Sequence, residues 1–257
     1  MRDFNQAYVS NILPHFKKGF MDKWGFEEYT DPTRPAVFLG LYSPEDIQIF
    51  KNHKSYKILH FGGNDFHPSQ IEIVKNSPNT FLVGYGWLGE GLLKNNLSYK
   101  EIIIPLKSYD EFIPTPLGEN IYIYKGLHGN RPDYFKWDEI IKPLQQFFGE
   151  DRIIYTEFKS IEELKKDYYN NCFVYVKPNE RGGSTSMWEL GHMGRKTITF
   201  NQGNLPNVLN FVTLDDIVSH IINESKKIGT TQNEVAKQTK DIFMNTNKWL
   251  NIDYYES

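Results

Sequence analysis

The stretch VYVKPNERGGSTSMWELGHMGRKTI, residues 174–198, decides the fold. It reads as a buried strand, then a loop with Gly182 and Gly183 side by side, then a helix opened by Ser184, Thr185 and Ser186, then a second strand beginning near Lys196. Free backbone amides at a helix N-terminus, unobstructed by large side chains, suit a phosphate group. Lys177 and Arg181 carry the charge that neutralises a diphosphate. Glu189 follows on the same helix, where a carboxylate accepts hydrogen bonds from both hydroxyls of a ribose. Blander readings of the same residues stay open. The hydroxyl residues can serve only as helix caps, Glu189 can be a solvated helix residue, and strand–glycine loop–helix units occur throughout Rossmann-like folds.

Working outward, short apolar runs alternate with helical patterns. Ala36–Gly40, Tyr56–Phe61, Thr80–Gly84 and Glu101–Leu106 read as strands. Helices are expected after Ser43-Pro44, from about Pro68 to Asn76 and over Trp87–Lys94, where N-cap, proline and acidic first-turn signals support the first of them. The pattern restarts with strands at Ile121–Tyr124, Arg152–Tyr155, Cys172–Val176 and Lys196–Phe200, with a short one at Phe211–Thr213. Arg131–Phe148 has apolar residues at helical spacing, and Ser160 with Glu163 forms a capping box for a helix to Tyr169. Two helices, about Asp215–Lys227 and Thr231–Leu250, close the chain.

Such alternation predicts an α/β protein with parallel sheets joined by right-handed crossovers. Pro114 and Pro116 lie in a stretch poor in helical signals, near residues 107–120, which reads as a linker. Two Rossmann-like βαβ lobes are therefore expected, residues 1–115 and 116–257, with a cleft between them and the last helix crossing back. One continuous eight-stranded sheet is the rival topology. Ligands of open α/β sheets bind at the carboxyl ends of strands, which singles out the loops after each strand.

Composition bounds the function. The chain has 257 residues, a formal net charge of −3 and one cysteine. The charge gives no electrostatic case for nucleic acid. A lone cysteine fits a reducing compartment, and the N-terminus lacks an apolar signal region, so a cytoplasmic location is expected. No apolar run approaches the roughly 20 residues of a membrane span. The histidines lack metal-ligand spacing, and neither a P-loop nor a nucleophile elbow occurs.

With these residues on the page, Glu162–Ile198 resembles the donor-binding region of GT-B glycosyltransferases of group 1 (family-4-like). Leu164–Pro178 is similar to the approach to that motif, Gly183-Ser184-Thr185 to its phosphate turn, and Trp188–Ile198 to its acidic helix and following strand. The family's first carboxylate falls on Arg181, with Glu180 beside it, so its usual contact with the donor sugar passes to neither residue unchanged. Lys57–Phe66, Phe81–Leu93 and Gly118–Gly126 resemble further family segments more weakly. The first lobe is short for the family.

The resemblance implies a transferase moving a sugar from a nucleoside-diphosphate sugar to a hydroxyl of a glycan or small acceptor. Donor contacts fall to Lys125, Arg131, Lys177, Glu180, Arg181, Gly183, Ser184, Thr185, Ser186 and Glu189. His60 or Asp65, near the end of the second strand, would act on the acceptor hydroxyl; Asp65 can instead simply shape its turn. No D-x-D occurs, which disfavours the metal-dependent GT-A class, so no metal or other cofactor is expected. A non-catalytic sugar-nucleotide or glycan-binding module and a nucleotide-sugar epimerase are the alternatives.

Overall fold

A computed structural model describes residues 2–124, 136–157, 159–178, 184–200 and 203–256. Two sheets form, both wholly parallel: one of six strands and one of five. The chain divides into two compact units. Met1–Ser108 and Phe243–Ser257 make the first, and Tyr109–Ile242 makes the second.

The first unit contains β1 (Gln6–Val9), α1 (Pro14–Trp24), β2 (Glu27–Glu28), β3 (Ala36–Leu39), α2 (Pro44–Asn52), β4 (Lys57–His60), α3 (Pro68–Lys75), β5 (Thr80–Gly84), α4 (Gly86–Lys94) and β6 (Lys100–Glu101). Its strand order is β2-β1-β3-β4-β5-β6. The central strands β3, β4 and β5 are largely apolar on both faces, as helix-covered parallel strands must be. Val37, Leu39, Ile58 and Val83 point into one core; Ala36, Phe38, Leu59 and Leu82 point into the other. α2 starts where the sequence places it. Ser43 Oγ accepts from the Asp46 amide, the Asp46 carboxylate accepts from the Ser43 amide, and Pro44 occupies the first turn.

Two departures from the sequence reading stand out in this unit. β1, α1 and β2 precede the first expected strand. The expected strand Glu101–Leu106 shortens to β6 and an isolated parallel bridge from Ile103 to Phe243; Pro105, which lacks an amide hydrogen, stands where a ladder would continue. The final segment belongs here too. The expected helix to Leu250 ends at Asp241, after which Trp249 and Leu250 enter the first core, Trp249 meeting Trp24 edge-on at 5.1 Å.

The second unit contains β7 (Asn120–Tyr124), α5 (Lys142–Phe148, preceded by a π-helical turn from Trp137), β8 (Ile153–Thr156), α6 (Ile161–Glu163, prolonged by a π-helical Leu164–Tyr169), β9 (Cys172–Lys177), α7 (Ser184–His192), β10 (Lys196–Thr199), β11 (Val208–Asn210), α8 (Leu214–Ser225) and α9 (Asn233–Asp241). The capping box of Ser160 and Glu163 forms as read from sequence. The expected strand at Phe211–Thr213 lies earlier, at β11, because Thr213 is taken as the N-cap of α8.

Strand order here is β11-β10-β9-β7-β8. One face is aliphatic, with Ile121, Ile123, Val174, Val176 and Ile198. Alternation puts Tyr122, Tyr175, Lys177, Thr197 and Thr199 on the other, all buried. α7 packs on this hydroxyl-rich side, against β10. Arg195, fully buried, holds the incoming linker: its guanidinium donates to the carbonyls of Thr115 (3.0 Å), Pro116 (2.8 Å) and Met193 (2.6 Å). Gly118 in that linker is required by close approach, since a Cβ there would lie 2.2 Å from the Asn171 carbonyl carbon.

Candidate functional site

In each sheet the strand order reverses beside the strand that opens it, between β1 and β3 in the first and between β7 and β9 in the second. Crevices at the carboxyl ends of such strand pairs are where α/β sheets take ligands.

In the first unit, β1 runs into Ser10 and β3 into Gly40-Leu41-Tyr42. Asp46 knits the two together. Buried completely, its carboxylate accepts from Tyr8 Oη (2.6 Å), Ser10 Oγ (2.8 Å) and the amides of Tyr42 (2.8 Å) and Ser43 (2.7 Å). Burial pushes its pKa up, but these donors outweigh that and hold it below the usual carboxylate value.

His60 is the last residue of β4, at the same end of the sheet. Its Nδ1 is buried without a hydrogen-bond partner among the described residues, and desolvation lowers its pKa to about 4. It is therefore a neutral imidazole at neutral pH. Asp65 lies on the following loop and is 1% exposed. Its carboxylate accepts from the amides of Leu41 (2.7 Å) and Gly63 (2.9 Å), joining the loops after β3 and β4. Burial raises its pKa despite those bonds. Through these two amides the carboxylate shapes the turn after β4. The loop also needs Gly62: a Cβ there would fall 2.2 Å from the Tyr42 hydroxyl oxygen.

A cavity of about 740 Å³ in this unit, bordered by Lys51, His53, Lys57 and Glu72, opens at the amino end of the strands, away from these loops. Lys57 is already used there, donating to the carbonyls of Phe50 and His53 at the end of α2.

In the second unit, β7 and β9 run at their carboxyl ends into the segments carrying Lys125, Arg131, Glu180, Arg181 and Gly183, which lie outside the described residues. Lys177 closes β9 and is 1% exposed, beside Thr199 in the sheet register. α7 begins at Ser184, as the sequence predicts, with Thr185 and Ser186 in its first turn. Ser186 is buried and Thr185 partly so.

Glu189 is 4% exposed, which excludes a solvated helix residue. Its Oε2 lies 2.6 Å from the hydroxyl of Tyr169, and that hydroxyl is 3.0 Å from Ser186 Oγ. A phenol has one proton to give, so the charged acceptor takes it and the serine hydroxyl turns its own toward the phenol oxygen. Burial first, and then the nearby Glu189 charge, push the Tyr169 pKa far up, keeping it a donor. Tyr169 in turn meets the Tyr122 ring edge-on at 5.5 Å. Sequence reading missed Tyr169, seeing it only as a helix end. Among the described residues, no three His, Cys, Asp or Glu side chains converge as metal ligands would, and no helix is long and apolar enough to cross a membrane.

Neither a family model nor a curated protein matches the chain by sequence. Comparison with solved structures does find similarity. Sucrose-phosphate synthase from Thermosynechococcus elongatus aligns over 92% of this chain and 76% of its own, with a TM-score of 0.53 at 13% identity. The fold is that of the GT-B glycosyltransferases. Within the GT-B fold, the five-stranded sheet, α7 and Glu189 occupy the half that the sequence resemblance assigned to the donor.

Proposed function

We propose that the chain is a glycosyltransferase that moves a sugar from a nucleoside-diphosphate sugar to a hydroxyl of a glycan or small-molecule acceptor, in the cytoplasm and without a metal. The observation that carries this reading is the second unit's switch point. There the buried Lys177 ends β9, α7 opens toward the same end of the sheet, and the buried Glu189 sits on that helix. The N-terminal turn of α7 receives the diphosphate, with Gly183, Ser184 and Thr185 supplying amides and Arg181, Lys125 and Arg131 charge. Glu189 takes the ribose hydroxyls.

In the transfer, the acceptor oxygen bonds to the sugar's anomeric carbon as the bond from that carbon to the diphosphate breaks. Positive charge and helix amides stabilise the departing diphosphate. The acceptor's proton goes to that diphosphate or to His60; an imidazole with a pKa near 4 is the weaker base of the two. The depressed pKa of His60 and the committed carboxylate of Asp65 favour one second reading, a protein that binds the sugar nucleotide without transferring it.

The test is incubation with UDP-, GDP- and ADP-sugars, with and without sugar acceptors, while released nucleoside diphosphate and glycosylated product are measured. Product formation establishes the transferase. Tight nucleotide binding with no release under any condition supports the second reading, and no binding of any nucleotide defeats both.

A further inference from the structure

We propose that Tyr169 is a positioning residue for nucleotide binding: its hydroxyl fixes the Glu189 carboxylate in the orientation that receives a ribose, and so sets the preference for ribonucleotides over 2′-deoxyribonucleotides. This rests on the reading of Glu189 given above.

A glutamate side chain has three rotatable bonds, and on a helix it points its carboxylate along many directions. To bind a vicinal pair of hydroxyls it must hold one of them. A buried carboxylate also needs donors to offset the loss of its hydration. Tyr169 meets both needs. Its hydroxyl is 2.6 Å from Glu189 Oε2, within the range of a charge-assisted bond. The phenol is rigid, with two torsions, and is itself held: fully buried, against the Tyr122 ring on one side and 3.0 Å from Ser186 Oγ on another. Tyr169 ends the π-helical segment before β9, and Ser186 and Glu189 lie three apart on α7. The bond therefore ties α7 to the element leading into β9. Tyr122 supplies an internal control. Its ring belongs to the same aromatic cluster, and its hydroxyl is buried with no hydrogen-bond partner among the described residues.

Titration calorimetry of UDP, GDP and ADP, each beside its 2′-deoxy form, against wild type, Tyr169→Phe, Glu189→Gln, the double variant and Tyr122→Phe tests this. Expected is a ribonucleotide affinity five- to tenfold weaker in Tyr169→Phe, with a clearly smaller loss for the 2′-deoxy forms, which keep only the 3′ hydroxyl, so that selectivity falls. The double variant should bind no worse than Glu189→Gln alone, and Tyr122→Phe should bind as wild type does. A general loosening of the fold would weaken both sugar forms alike, and that result overturns the positioning role. So does a Tyr169→Phe protein that keeps wild-type selectivity while Glu189→Gln loses it. If Glu189→Gln itself keeps full affinity and selectivity, or wild type binds none of the six nucleotides, the ribose reading of Glu189 falls and the positioning role with it.

Discussion

Replacing His60 by Gln should flatten part of the protein's acid sensitivity. His60 ionises near 6.5 in an unfolded chain and near 4 when folded. Between those values the unfolded chain binds a proton that the folded one refuses, so stability is complete above about pH 6.5 and is lost as the pH falls toward 4. At about 1.4 kcal/mol per pH unit, the whole effect approaches ~3 kcal/mol, an upper bound because the residue as a whole keeps some solvent exposure. About 2 kcal/mol of it should appear between roughly pH 7.5 and pH 5. Urea unfolding of wild type and His60→Gln across that interval reads the difference directly, and comparison with the variant cancels the other titrating groups. The imidazole resonances give the pKa itself. Parallel stability profiles for the two proteins, or a His60 that titrates above about 6 in the folded state, would refute the claim that desolvation governs this side chain.

Asp46→Asn places an amide NH2 among donors that need an acceptor, leaving one or two amides unsatisfied; a loss of about 2–4 kcal/mol is expected in urea unfolding. Because the folded pKa of Asp46 is depressed, its contribution is present above the unfolded value and fades as the pH drops through the folded one, so the variant should lose the most acidic limb of the stability profile. Arg195→Met strips the Thr115, Pro116 and Met193 carbonyls of their buried donor and should cost about 3–5 kcal/mol, with Arg195→Lys recovering only part, again by urea unfolding. Gly118→Ala, forced against the Asn171 backbone, should cost about 3 kcal/mol or more, read from the same transition; a melting point equal to wild type would show that the linker shifts freely. In a high-resolution crystal structure, ordered water should bridge at least one of Tyr122 Oη, Thr197 Oγ1, Thr199 Oγ1 and Asn207 Oδ1, all buried and without a hydrogen-bond partner among the described residues; a dry, fully occupied density map around all four would count against it.

The central strands were legible because a parallel strand covered on both faces must be mostly apolar; AVFL and CFVYV are, and YKILHF departs from this only at Lys57 and His60. β1 was not, because QAYV carries a glutamine at a buried position. Gln6 is tolerated only by long-range bonds, donating to the carbonyls of Asp31 and Arg34 and accepting from the Thr30 and Asp31 amides, and no local pattern announces such partners. The same holds at the candidate site. Glu189 could be singled out from its spacing to the glycine loop, whereas Tyr169 lies twenty residues earlier and earns its place through a contact that only the folded chain makes. For Asp65, the turn signal in Gly-Gly-Asn-Asp matched the use the structure makes of it. The closing helix misled because its apolar residues divide: Ala236 and Thr239 are buried in the second unit and Trp249 and Leu250 in the first.

That division of the closing segment has a bearing on how the protein comes into being. The first unit is interrupted in sequence: residues 1–108 contain its whole six-stranded sheet, but Trp249, Leu250 and the carbonyl that receives the Asp3 and Phe4 amides come from the other end of the chain. On the ribosome, the half that emerges first must wait with an unfilled slot beside Trp24 and Phe26 while the second unit, contiguous in sequence, is synthesised and folds. The part begun first is the last to be finished.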